Sequence, residues 1–216
     1  MLSIYQIKPW FQGLLRPLVI LLHARGVTAN QVTVLAWFIS MLLGTALILW
    51  GAAHPALFAL LPLWMLLRMA MNAIDGMLAR EHDQKTPLGA YFNELTDVVA
   101  DAALYLPFAF LPGVQPWLVA GVVFLAALSE YAGVLGLMVG ASRRYDGPFG
   151  KSDRAFAFGL LGLLVSLDAL SADWQDGLMA LMILALLATC TQRIRQGLAE
   201  GAARQNPSGP DRRHRS

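Results

Sequence analysis

The chain has little charge and almost no cysteine. Asp, Glu, Lys and Arg together make up 14% of its 216 residues, where a soluble domain carries about 25%. A lone cysteine, Cys190, excludes a disulfide framework and a thiolate metal site. The four histidines are scattered, with no H-E-x-x-H or similar spacing, which argues against zinc hydrolysis. No G-x-G-x-x-G run, P-loop glycine pattern or internal repeat is present. The net charge is only +2, from 16 basic and 14 acidic residues, so the distribution of charge says more than its sum. Nucleic acid is not among the expected partners.

What the chain has in quantity is apolar sequence. Hydrophobic residues make up 57%, which reads as an all-α integral membrane protein. Six transmembrane helices are expected, over roughly 31–51, 56–80, 88–111, 116–141, 152–170 and 175–194. The segments before the first span and after the second, fourth and sixth hold Lys8, Arg16, Arg25, Lys85, Arg143, Arg144, Arg193 and Arg195. The other loops, near His54, Gly113 and Asp173, hold no Lys or Arg. The positive-inside rule then puts both termini in the cytoplasm. The expected location is a bacterial inner membrane.

Residues 1–27 form a separate element. Ile4, Ile7, Phe11, Leu14, Leu15, Leu18 and Leu22 recur at helical spacing, with Lys8, Gln12, Arg16 and Arg25 between them. This reads as an interfacial amphipathic helix lying on an anionic leaflet. It lacks the continuous apolar core and A-x-A site of a signal peptide. Residues 28–198 are the expected six-helix domain. Residues 199–216, with Arg212, Arg213 and Arg215, read as a disordered basic tail.

The most informative run opens inside an apolar segment. It reads Asn72-Ala-Ile-Asp75-Gly76-Met-Leu-Ala79-Arg80, then eight residues, then Gly89-Ala-Tyr-Phe-Asn93-Glu-Leu-Thr-Asp97. Acids and amides inside apolar helices are costly and usually mark a working site. Positions 72, 75, 76 and 79 share one helical face, as do 89, 93, 97 and 101. Two helices joined by a short polar loop then bring these groups together, a layout suited to a metal-bound phosphate.

The run resembles the CDP-alcohol phosphotransferase pattern D-x-x-D-G-x-x-A-R-x8-G-x-x-x-D-x-x-x-D. Asp75, Gly76, Ala79, Arg80, Gly89 and Asp97 match in type and spacing, while Asn72 and Asn93 stand where the family has its first and third Asp. The likeness is to a bacterial branch of the CDP-alcohol phosphatidyltransferases and runs from Tyr5 to the sixth span. It implies a transferase of phospholipid biosynthesis that moves a phosphatidyl group from CDP-diacylglycerol, or a related CDP-alcohol, to a hydroxyl acceptor and releases CMP. It further implies Asp97 as catalytic base and a homodimer among membrane lipids. Asp75 and Asp97, with Asn72 and Asn93, would hold one or two divalent ions, Mg or Mn. The amides carry no charge, so a non-catalytic CDP-lipid-binding protein is the alternative. A small transporter is weakened by the absence of two matching halves with broken helices.

Further residues extend the site. Asn72, Asp75, Gly76, Ala79, Arg80 and Gly89 would contact the CDP-lipid. Thr28-Ala-Asn30-Gln-Val-Thr33 resembles the family's approach to its first span, so Asn30 and Thr33 are candidate nucleotide contacts, although a helix cap explains Thr28 or Asn30 as well. Thr86-Pro87 reads as an N-cap followed by a first-turn proline. Lys151 and Arg154 lie three apart near a helix start, with Arg143 and Arg144 close by, and this suits a polar or anionic acceptor. Ordinary positive-inside charge is the plainer explanation. Arg68, Asp101 and Glu130 fall inside spans and should pair, with Arg68 on Asp101 or Glu130 as the favoured structural pair.

Overall fold

Cap chemistry sets where the helices begin. The computed structural model describes residues 4–205, with side chains from Trp10 onward. Among the described residues the chain is helical, without a strand: α1 Ile4–Ala24, α2 Ala29–Trp50, α3 Leu60–Glu81, α4 Pro87–Tyr105, α5 Pro116–Leu135, α6 Lys151–Ser166 and α7 Ala172–Gln205. Short 3-10 turns cover Pro55–Ala59, Leu106–Phe110 and Gly136–Val139. Thr28 and Gln31 form a reciprocal capping box that starts α2. Thr86 accepts from the Gly89 amide at 2.9 Å, and Pro87 sits where no amide donor is needed. Asp153 accepts from the Gly150 amide at 2.8 Å and fixes the start of α6.

The helices pack through small residues and aromatics. A Cβ on Gly44 would collide with the Ala103 backbone, so α2 and α4 cross closely there. A Cβ on Gly159 would come within 3.4 Å of the Pro62 backbone, which draws α6 onto α3. Tyr105 and Phe158 stack with centroids 3.8 Å apart, and Phe108 meets Phe158 edge-on at 5.4 Å. With Leu47, Phe58, Leu61, Val119 and Leu186 these form the larger core. A smaller core joins Val19 of α1 to Val32, Ile74, Met77 and Leu78. Trp10, Leu14 and Leu18 of α1 stay exposed, while Arg16 donates to Glu81 at 3.1 Å.

Among the described residues, four segments are long and apolar enough to cross a membrane: Ala29–Trp50, Pro55–Glu81, Pro116–Val139 and Ala172–Gln205. The expected count of six is not reached on length and composition. Helix α4 carries Glu94, Asp97 and Asp101 within its 19 residues. Helix α6 has 16 residues, about 24 Å at 1.5 Å per residue, against a hydrocarbon layer of about 30 Å. Both nevertheless pack into the bundle, α4 against α2 and α5, and α6 against α3.

The C-terminal boundary also differs from the expectation. Helix α7 continues to Gln205, past Ala199. Thr189, Arg193, Gly197 and Gly201 recur every four residues and are all buried, so one helix face extends the packing beyond the apolar segment. The tail residues Arg212, Arg213 and Arg215 lie outside the described residues.

Candidate functional site

Alternating helix direction brings the starts of α2, α4 and α6 and the ends of α3, α5 and α7 to one end of the bundle. There they enclose a cavity of about 960 Å³. Its walls include Asn30 and Thr33 from α2, Asn72, Asp75, Gly76, Ala79 and Arg80 from α3, and Gly89, Asn93 and Asp97 from α4. The opposite wall carries Arg143, Lys151, Arg154 and Arg193. Every candidate site residue named from the sequence borders this space except Arg144.

The two motif carboxylates have different surroundings. Asp75 is buried, and the Thr33 hydroxyl donates to its Oδ2 at 2.8 Å. Asp97 is one-fifth exposed. Its Oδ1 accepts from Arg68 at 3.2 Å and from the Asn72 amide at 3.5 Å, the latter a weak contact. The Lys151 ammonium pairs with Oδ2. Asn72 and Asn93 border the same space and add uncharged oxygens.

Two glycines allow close backbone approach. A Cβ on Gly89 would lie 2.6 Å from Asn30 Oδ1 and 2.9 Å from Thr86 Oγ1. A Cβ on Gly76 would lie 3.1 Å from both terminal nitrogens of Arg80, whose guanidinium folds back over that glycine. Asn30 is therefore a wall residue, and Thr28 is the cap.

Beneath the cavity runs a chain of buried charges. Arg68 donates to Asp101 at 2.6 Å, so Asp101 is its partner and not Glu130. Arg154 donates to Asp101 at 3.1 Å and to Glu130 at 2.9 Å. Glu130 also accepts from Arg143 at 3.1 Å and lies 3.4 Å from Arg193. A buried charge without a partner is costly, so each cation draws a carboxylate in with it.

The four cations have different surroundings. Lys151 is one-third exposed and reaches the open cavity, whereas the Arg154 side chain is 1% exposed and is taken up by Asp101 and Glu130. Arg144 is directed into the loop. It donates to Asp146 at 2.7 and 2.9 Å and pairs with Glu200 of α7. The Arg144 guanidinium holds the Asp146 carboxyl below the usual range. Arg143 remains at the wall, 4.2 Å from the Tyr145 ring centroid and 2.6 Å from Glu94. Its Nε and Nη1 are buried with no partner among the described residues.

Glu94, Tyr145 and Arg193 also line the cavity and were not among the candidates. In the sequence Arg193 reads as a positive-inside loop charge. Its place on the face shared with Thr189, Gly197 and Gly201 was the available clue. Glu94 and Tyr145 had no such pattern, because their position depends on how the loop after α5 folds over α4.

The donor set suits a hard cation. Groups of three or more His, Cys, Asp or Glu able to hold a metal do not occur among the described residues. The carboxylates of Asp75 and Asp97 and the amides of Asn72 and Asn93 border one cavity, a donor set that Mg²⁺ or Mn²⁺ would complete with substrate phosphate and water. The residues present therefore fit a divalent ion bound together with a phosphorylated substrate.

Comparison with known proteins gives the family. A family model for CDP-alcohol phosphatidyltransferase matches residues 26–191. The chain is 47% identical over 201 residues to the inner membrane protein YnbA of Escherichia coli (strain K12), covering 93% of this chain and 99% of that protein. Together with the apolar helices, this makes the chain a multi-pass membrane protein.

Proposed function

Because the chain belongs to the CDP-alcohol phosphatidyltransferase family, we propose that it transfers a phosphatidyl group from CDP-diacylglycerol, or a related CDP-alcohol, to a hydroxyl acceptor in phospholipid biosynthesis. The observation that carries this reading is the convergence of Asp75 and Asp97, from separate helices, on one cavity rimmed by the glycines of the motif. The membrane is a bacterial inner membrane. The cavity end and both termini face the cytoplasm, because the loops at the other end hold no Lys or Arg.

Asn30, Thr33, Gly76, Ala79, Arg80 and Gly89 receive the cytidine diphosphate portion. Thr33 orients Asp75 through its hydrogen bond. Asp75 and Asp97, with Asn72 and Asn93, would hold Mg²⁺ or Mn²⁺, which would polarise the phosphoryl group and stabilise the departing oxygen. Asp97 takes the proton from the acceptor hydroxyl. The acceptor oxygen forms a bond to the lipid-side phosphorus, and the bond from that phosphorus to CMP breaks, with CMP taking the electron pair. Lys151, one-third exposed, and Arg143 at the wall favour a polar or anionic acceptor. Arg154 acts from beneath by holding Asp101 and Glu130 in place.

One observation favours a second reading. Asn72 and Asn93 remove two carboxylates from the motif, as in a protein that binds CDP-lipid without turning it over. The retained Asp97 favours catalysis. CMP release from CDP-diacylglycerol, with a panel of hydroxyl acceptors, separates the two readings.

A further inference from the structure

We propose that Lys151 is a built-in second cation of this site, so that the protein works with one divalent ion per chain. This rests on the reading of the cavity as a CDP-alcohol site. Lys151 is the first residue of α6, and the hydrogen bond between the Gly150 amide and Asp153 at 2.8 Å fixes that helix start. From there its ammonium pairs with Asp97 Oδ2, on the opposite wall, while Arg68 and Asn72 approach Oδ1. A metal ion on the Oδ2 side of Asp97 would have to displace the ammonium, which leaves the Oδ1 side, where the Arg68 and Asn72 contacts are long at 3.2 and 3.5 Å, to the single ion.

Charge accounting points the same way. The motif carboxylates at the cavity are Asp75 and Asp97, because Asn72 and Asn93 are neutral. Asp101 is matched by Arg68 and Arg154. Asp75, Asp97 and a diphosphate diester carry four negative charges between them. One divalent ion, Lys151 and Arg80 carry four positive charges. A second divalent ion would leave two positive charges in excess in a partly buried site, where unbalanced charge is costly.

The test uses the purified full chain in phospholipid nanodiscs, titrated with Mn²⁺ alone and with Mn²⁺ plus CDP-diacylglycerol, read by equilibrium binding and electron paramagnetic resonance. The natural protein is expected to bind one Mn²⁺ per chain in both conditions. Lys151→Met should bind that ion at least about tenfold more tightly, the lower limit being one charge acting on a divalent ion with water-like screening. Lys151→Arg keeps the charge and should stay within about twofold of the natural affinity, since the Coulomb contribution is preserved. Combining Lys151→Met with Asn72→Asp and Asn93→Asp should give two Mn²⁺ with spin–spin coupling. Two coupled Mn²⁺ in the natural protein, or unchanged affinity in Lys151→Met, would overturn the inference while CMP release kept the transferase reading intact. No Mn²⁺ in any form, together with no CMP release, would overturn both.

Discussion

Asp101→Asn tests whether the charges below the cavity form its foundation. Asp101 is buried and accepts from Arg68 at 2.6 Å and from Arg154 at 3.1 Å. An amide in its place offers one acceptor and turns an NH₂ toward a guanidinium. Removing one partner of a buried ion pair costs about 3–5 kcal/mol. Arg68 keeps Asp97 at 3.2 Å and Arg154 keeps Glu130 at 2.9 Å, so the lower end applies. A loss of about 3 kcal/mol corresponds to roughly 6–12 °C in Tm for a chain of this size. Thermal unfolding in one fixed detergent reads this directly. Asp101→Leu combined with Arg154→Met removes both charges and should lose less than Asp101→Leu alone. A Tm change for Asp101→Asn below about 2 °C, or strictly additive losses in the pair, would refute the reasoning.

Other changes separate the remaining roles. Asp97→Asn should abolish CMP release while CDP-diacylglycerol still binds; near-normal turnover would remove the base assignment. Exhaustive chelation with EDTA should stop CMP release and Mn²⁺ should restore it, whereas metal-independent turnover would contradict the role of the acidic pair. Arg143→Ala should raise the acceptor KM more than the donor KM, because Arg143 stands on the wall opposite the motif glycines; the opposite split would move Arg143 to the donor side. Asn72→Asp with Asn93→Asp should tighten Mn²⁺ binding through added negative charge, measured by calorimetry; unchanged affinity would mean these positions do not face the ion.

The helical membrane class and the motif were legible because both are local. Apolar length identifies a span, and the periods through 72, 75, 76 and 79 and through 89, 93 and 97 place those side chains on shared faces. Caps were equally local, as Thr86 and Pro87 illustrate. The cations were harder to assign. Spacing alone puts Lys151 and Arg154 on one face, yet only packing decides that Arg154 turns inward to Asp101 and Glu130 while Lys151 crosses to Asp97. Arg144 joins Asp146 and Glu200 because the loop after α5 folds back on α7, a contact far apart in sequence. The end of the last helix was missed because Gly, Ala and Arg after position 198 look like a tail. The four-residue repeat of Thr189, Arg193, Gly197 and Gly201 is visible only when apolarity is set aside.

The central claim is that this cavity performs transfer and does not merely bind a nucleotide lipid. Acceptor-dependent CMP release measures it most directly, using the purified full chain, CDP-diacylglycerol, Mg²⁺ and a set of polar and anionic alcohols. The account predicts stoichiometric CMP and phosphatidyl product with at least one acceptor, both lost in Asp97→Asn. Saturable CDP-diacylglycerol binding with no CMP release across the full acceptor panel would contradict it and leave a lipid-binding protein in its place.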